Sequence, residues 1–227
     1  MIPFLMKTAA FFDIDRTLID GQSGVLLGKL LVKKGEVKAS YFISRALYYS
    51  FLYRINRLNY GHLVEHGMKF FEGMRQEEMD ALGEECFEKV VRKHVYKEAE
   101  TLVDSHKKQG HACVIVSSAP KLVAKPIAAH FKMDDMLVTE GVIKNGVITG
   151  ELKKPLCYAD GKRALAEKFA KKHNVELSRS YFYSDSATDA PLFEAVGHPV
   201  AVNPERKLLN IAKKRNWKIL HFRKHAR

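Results

Sequence analysis

Seven side chains of this 227-residue chain stand at or just past the points where apolar runs stop, and their types suit work on charge. Thr8-Ala-Ala-Phe-Phe-Asp13-Ile-Asp15-Arg-Thr17-Leu18 is an apolar run that ends in two carboxylates and then a hydroxyl. In a strand, residues i and i+2 point the same way, so Asp13 and Asp15 can reach one pocket as the strand opens into a loop. Two buried acids without a partner are costly. Such a pair has a cation to bind or a proton to manage. A second apolar, β-branched run, His111-Ala-Cys-Val-Ile-Val116, ends in Ser117-Ser118, and a third, Tyr181-Phe-Tyr-Ser, ends in Asp185 with Asp189 four residues on. Lys162 falls on the opening turn of a predicted helix, 23 residues before Asp185.

The elements needed to position these groups are legible. Strand-like segments at residues 8–12, 112–116, 181–183, 199–202 and 218–222 alternate with helical stretches such as residues 162–173. That alternation predicts an α/β fold, a Rossmann-like parallel sheet with helices on both faces. Sites in such sheets lie at the carboxyl ends of the strands, where Asp13, Ser117 and Asp185 fall. Residues 138–152, with Asn145-Gly146 between two β-branched pairs, read as a type I′ hairpin. Residues 18–95 carry no strand pattern and read as helical. The predicted division is therefore a core of residues 1–17 and 100–227, with residues 18–99 as a helical cap inserted after the first strand.

The ordered set of acid pair, hydroxyl, lysine and second acid pair resembles the four motifs of the haloacid dehalogenase superfamily, in particular its phosphoserine-phosphatase-like members. The likeness runs from about Lys7 to Phe222, and the Asp-x-Asp-x-Thr form of the first motif suits that group. It implies a phosphomonoester hydrolase with an α-helical cap that closes over the site. Asp13 would be the nucleophile, forming an aspartyl-phosphate. Asp15 would protonate the leaving group and then activate water. Asp13, Asp185 and the backbone carbonyl of Asp15 would hold Mg²⁺, which takes few protein carboxylates and keeps its waters. Ser117, Ser118 and Lys162 would bind the phosphoryl group, while Asp189 and Thr17 would orient the groups around it.

Plainer roles stand beside these. Asp13 and Asp15 suit a turn or helix cap, Ser117-Ser118 an N-cap pair before Ala-Pro-Lys, and Asp189 an N-cap before Ala190-Pro191. Lys162 could be one more solvated lysine.

Substrate is less legible. Phosphoserine phosphatases carry a glutamate where this chain has Ile19-Asp20, Ser-Gly-Gly where it has Ser117-Ser118-Ala119-Pro120, and asparagine where it has Thr188. The forms Tyr183-Ser-Asp-Ser and Ala201-Val-Asn-Pro204 look more like the branch containing bacterial phosphatidylglycerophosphate phosphatases. Phosphoserine, a phospholipid-type ester such as a lysophospholipid phosphate, and other small phosphomonoesters stay open as substrates. A phosphatase-like binding module is the non-enzyme alternative, but it would be expected to have lost part of the catalytic set, which here is whole.

Composition fits a cytoplasmic enzyme: 46% hydrophobic residues support a core, and Cys86, Cys113 and Cys157 have no disulfide or metal spacing. Residues 1–6 are too short for the apolar region of a leader. The net charge of +12 would attract phosphate esters or an anionic membrane surface; no nucleic-acid motif accompanies it. Residues 41–58 are apolar and aromatic with three arginines. We expect them to form cap core, with a lipid-like or aromatic substrate surface as the other reading. Length and charge exclude a transmembrane span.

Overall fold

The computed structural model describes residues 7–55 and 57–225; residues 1–6, read above as too short for a leader, lie outside them. Six strands form one parallel sheet: β1 (Ala9–Phe12), β2 (Ala112–Pro120), β3 (Asp135–Thr139), β6 (Tyr181–Ser184), β7 (His198–Val202) and β8 (Lys218–Leu220), in the order β3-β2-β1-β6-β7-β8. A two-stranded hairpin, β4 (Gly141–Lys144) and β5 (Val147–Leu152), stands apart from it.

β1 shows why the sheet is a two-sided core. All four of its residues are buried, yet successive side chains point to opposite faces. Ala10 and Phe12 join Cys113, Ile115 and Tyr183 on one face. Ala9 and Phe11 join Val114, Val116 and Phe182 on the other. The first face is covered by α5 (Lys97–Lys108) and α6 (Lys121–His130), the second by α7 (Asp160–His173), α8 (Ala190–Phe193) and α9 (Arg206–Lys214). Apolar residues at every position, rather than alternate ones, are what a strand buried on both faces requires.

Residues between β1 and β2 are helical, as expected: α1 (Ser23–Lys33), α2 (Ala39–Arg54), α3 (Tyr60–Lys69) and α4 (Gln76–Cys86), then a π-helical turn and a 3₁₀ turn leading to α5. α4 packs on α6, and α3 packs on β5. Gly83 of α4 lies so close to the carbonyl of Leu122 that a Cβ there would collide with it.

Three expectations need correction. Val138 and Thr139 belong not to the hairpin but to β3, an edge strand whose outer residues are half exposed and so carry a weak pattern. The turn itself is as expected, with Asn145 and Gly146 both at positive φ (51° and 78°), as type I′ requires. Neither Ser117 nor Ser118 caps a helix, because β2 runs on to Pro120 and α6 starts at Lys121. The described residues of 41–58, all but Asn56, are not core: none of α2 is buried, nor are Ile55, Arg57 and Leu58. The outward side chains of α2 are treated below.

Among the described residues, no helix is long and apolar enough to cross a membrane. Cys86, Cys113 and Cys157 are buried and free.

Candidate active site

The strand order reverses its direction of growth at β1: β2 lies on one side and β6 on the other. Such a switch point opens a crevice at the carboxyl ends of the two strands. Asp13 immediately follows β1 and Asp185 immediately follows β6, one on each lip. The ladder extends one step past β1, with the Asp13 N–H donating to the Tyr183 carbonyl at 2.9 Å. That bond fixes where the Asp13 side chain leaves the sheet.

Lys162 enters from the first turn of α7. It is 2% exposed, and its Nζ donates to Asp13 Oδ1 and Asp189 Oδ2, both at 2.8 Å. Burial alone would lower the Lys162 pKa, but the charges of Asp13 and Asp189 overcome it and hold the ammonium well above its usual value. The solvated-lysine reading is therefore excluded. Asp189 occupies the N-cap position of α8, yet its carboxylate caps nothing. It accepts instead from Lys162 and from Ser184 Oγ at 2.5 Å, and Ser186 caps the preceding turn. Burial pushes the Asp189 carboxyl up.

Asp15 turns back toward the helical segment, where its Oδ1 accepts the Ser23 N–H at 2.8 Å and so serves the start of α1. Burial first, and the Asp13 charge second, push its pKa up to about 6. Asp185 is raised further, to about 8, again by burial and then by Asp13; Arg16, with Nη1 3.7 Å from Asp185 Oδ2, offsets part of this.

Ser117 ends the regular part of β2, where the register with β3 slips. Its hydroxyl is buried and accepts the Ala119 N–H at 3.3 Å. The Ser118 carbonyl accepts from the Tyr60 hydroxyl. Thr17 Oγ1 is buried with no protein partner, so its expected orienting contact is not made within the described residues.

Direct bonds thus join Asp13, Lys162 and Asp189, while Asp15 and Asp185 are tied to Asp13 through its field. Sequence reasoning missed Arg16, Ser184, Tyr60 and Tyr158. Arg16 and Ser184 adjoin motif acids, which was the available signal. Tyr60 of α3 and Tyr158, just before α7, stack with centroids 4.2 Å apart and planes 9° apart. They are far apart in the chain, and no local pattern announces their meeting.

The donor set fits Mg²⁺. Four acids (Asp13, Asp15, Asp185, Asp189) face one buried ammonium and one half-exposed guanidinium, and burial first and the Asp13 charge second raise Asp15 and Asp185. No cluster of three or more His, Cys, Asp or Glu suited to a metal exists among the described residues. Asp13 and Asp185, on opposite lips, would offer the sparse oxygen set that Mg²⁺ uses with waters and a carbonyl.

A cavity of about 680 Å³ lined by Tyr181, His198, Arg215 and Trp217 lies at the opposite, amino end of β6–β8 and contains none of these residues. The charged cluster, not that cavity, occupies the carboxyl ends of β1 and β6.

The family model of the haloacid dehalogenase-like hydrolases matches residues 10–194. The chain belongs to this family, and within it is a phosphatase. A phosphoserine phosphatase of Mycobacterium tuberculosis is 29% identical over 97% of this chain and 73% of its own length. A histidinol-phosphatase of Neisseria meningitidis is 27% identical over 96% of this chain and 100% of its own. Among solved structures, a Bordetella pertussis protein of unknown function superposes with a TM-score of 0.87 at 27% identity, covering 95% of this chain and 98% of that one.

Proposed function

We propose that this chain is a Mg²⁺-dependent phosphomonoester hydrolase acting through an aspartyl-phosphate on Asp13. The observation that carries the reading is the contrast within the first motif. Asp13 is pinned by Lys162 at 2.8 Å, whereas Asp15 has its pKa pushed up to about 6. A fixed carboxylate is a nucleophile that splits phosphoryl transfer into two easier steps. A neighbouring acid with a pKa near the working pH can give a proton to the leaving oxygen and later take one from water.

In this reading Ser117 donates to a phosphoryl oxygen, with Ser118 beside it. Lys162 balances charge and holds Asp13 in line, while Asp189 and Ser184 fix Lys162 in turn. Mg²⁺, held by Asp13, Asp185 and the carbonyl of Asp15, would neutralise the phosphoryl oxygens and the acids around them. Residues 18–99 are assigned to a cap that excludes water and reads the substrate, with Tyr60 and Tyr158 at its meeting with the core. Three free, buried cysteines suit a reducing cytoplasm.

The substrate is proposed at the level of small phosphomonoesters. The two relatives above are named for different substrates at nearly equal identity, so neither name transfers. Phosphoserine and lysophospholipid-type phosphates belong in the same substrate screen.

Asp13→Asn is expected to remove nearly all turnover of an aryl phosphate at an unchanged melting temperature, and Asp15→Asn to lower it by roughly 10²–10⁴-fold. EDTA should abolish turnover and Mg²⁺ restore it. Full activity in Asp13→Asn would sink the mechanism.

A further inference from the structure

α2 is the most anomalous element of the molecule. Its inner side is fixed: the Phe42 ring sits on Gly28 of α1, where a Cβ would collide with it, and the Tyr53 hydroxyl donates to Glu205 Oε2 at 2.7 Å. Its outer side is apolar and bare. Ile43, Leu47 and Phe51 recur every four residues, which places them in one stripe, and they are 56%, 67% and 60% exposed. Tyr48 and Ile55 extend the same side and are exposed too. A run of large apolar side chains held in water marks a surface that something covers.

Charge identifies the occupant. From residue 37 to residue 64 the chain has no Asp or Glu but carries Lys38, Arg45, Arg54 and Arg57. α1, on which α2 packs, has no acid either and ends in Lys33, followed by Lys34. Lys34 is neutralised by Glu36 and Glu85, and Arg45 lies over the Tyr41 ring. Lys38, Arg54 and Arg57 are exposed at the two ends of the stripe. A second copy would bring the same cations face to face in a molecule of net charge +12. An anionic bilayer presents the opposite charge and, beneath it, an apolar layer for Leu47 and Phe51, while tyrosine is at home at the boundary between them.

We propose that the outer face of α2 is a docking surface for anionic membranes, its apolar stripe entering the headgroup layer and its terminal cations meeting lipid phosphates. The proposal rests on exposure and charge alone and stands whether or not the proposed reaction is correct.

The full chain should co-sediment with vesicles of equal phosphatidylcholine and phosphatidylglycerol but not with phosphatidylcholine alone, and raised salt should weaken binding. Leu47→Gln with Phe51→Gln should reduce binding about tenfold or more, and Arg54→Gln with Arg57→Gln roughly fivefold for each arginine. Because these side chains are exposed, melting temperature and aryl-phosphate turnover should not change. The proposal is overturned by absence of binding to the mixed vesicles, by equal binding to both lipids, or by binding that survives loss of Leu47 and Phe51. It is equally overturned if the chain is a dimer without lipid that Leu47→Gln with Phe51→Gln dissociates, since the stripe is then covered by a second copy.

Discussion

Asp15 and Asp185 hold their protons far above the ordinary carboxylate range, at about 6 and about 8, and that has a thermodynamic signature. Each binds its proton more tightly in the folded chain than in the unfolded one, where the pKa is about 3.9. Between those values the native state holds more protons, so the contribution of these two groups to stability falls as pH rises. The metal-free protein should lose melting temperature from about pH 4 to about pH 8, and Asp185→Asn should flatten the upper half of that slope. If Mg²⁺ binds at Asp185 as proposed, it would compete with the proton there and should raise the melting temperature more at the alkaline end. A stabilisation by Mg²⁺ equal at both ends would show that Asp185 does not titrate with the metal. These carboxylates were legible in sequence because a strand end places them by local geometry. Their protonation was not, since it depends on how much of the fold closes over them.

At the scale of elements, α7 is the delicate part. It must deliver Lys162 to Asp13 from its first turn, and Gly161 makes that approach possible. A Cβ at Gly161 would collide with the carbonyl of Leu156, a backbone atom that cannot rotate away. Gly161→Ala is therefore expected to destabilise the protein by about 1–3 kcal/mol, against a helix-propensity gain of up to about 1 kcal/mol. It should also lower kcat for an aryl phosphate, because the first turn moves and carries Lys162 with it. Urea melts and kinetics on one preparation would check this; a stabilised, fully active variant would show that α7 is not held there. The sequence marks Gly161 as the residue before the lysine, but only the fold supplies the Leu156 carbonyl opposite it.

At the scale of the whole molecule, two tyrosines tie the helical segment to the loops that carry the site, in addition to the packing of α4 on α6 and of α3 on β5. Tyr53 donates to Glu205, whose own N–H donates to the Asp185 carbonyl at 2.9 Å. Tyr60 donates to the Ser118 carbonyl and stacks on Tyr158. Removing the Tyr60 hydroxyl leaves the half-buried Ser118 carbonyl without this donor, at a cost of about 0.5–1.5 kcal/mol. Tyr60→Phe, which keeps the stack, should lower the melting temperature accordingly and raise KM for small phosphate esters as the segment loosens over the site. An unchanged KM with a lowered melting temperature would make Tyr60 a fold contact alone. Tyr53 belongs to the aromatic 41–58 segment singled out in sequence, but neither tyrosine's contact was legible there, because their partners lie 152 and 58 residues away.

The sequence by itself determined the α/β class, the strands that carry the acids, the type I′ hairpin turn and the family. The first three rest on short-range physics: continuous apolar runs, positive φ at Asn-Gly, and acids where those runs stop; the family was read from the resemblance of the ordered motifs. Tertiary structure decided the rest. It made Lys162 a buried partner of two acids instead of a surface lysine, and turned the Asp189 carboxylate from the helix it was placed to cap. It added β3 as an edge strand, whose half-exposed residues carry little periodicity. It also left α2 bare: an apolar, aromatic composition reads as core until the fold shows that nothing packs against its outer side.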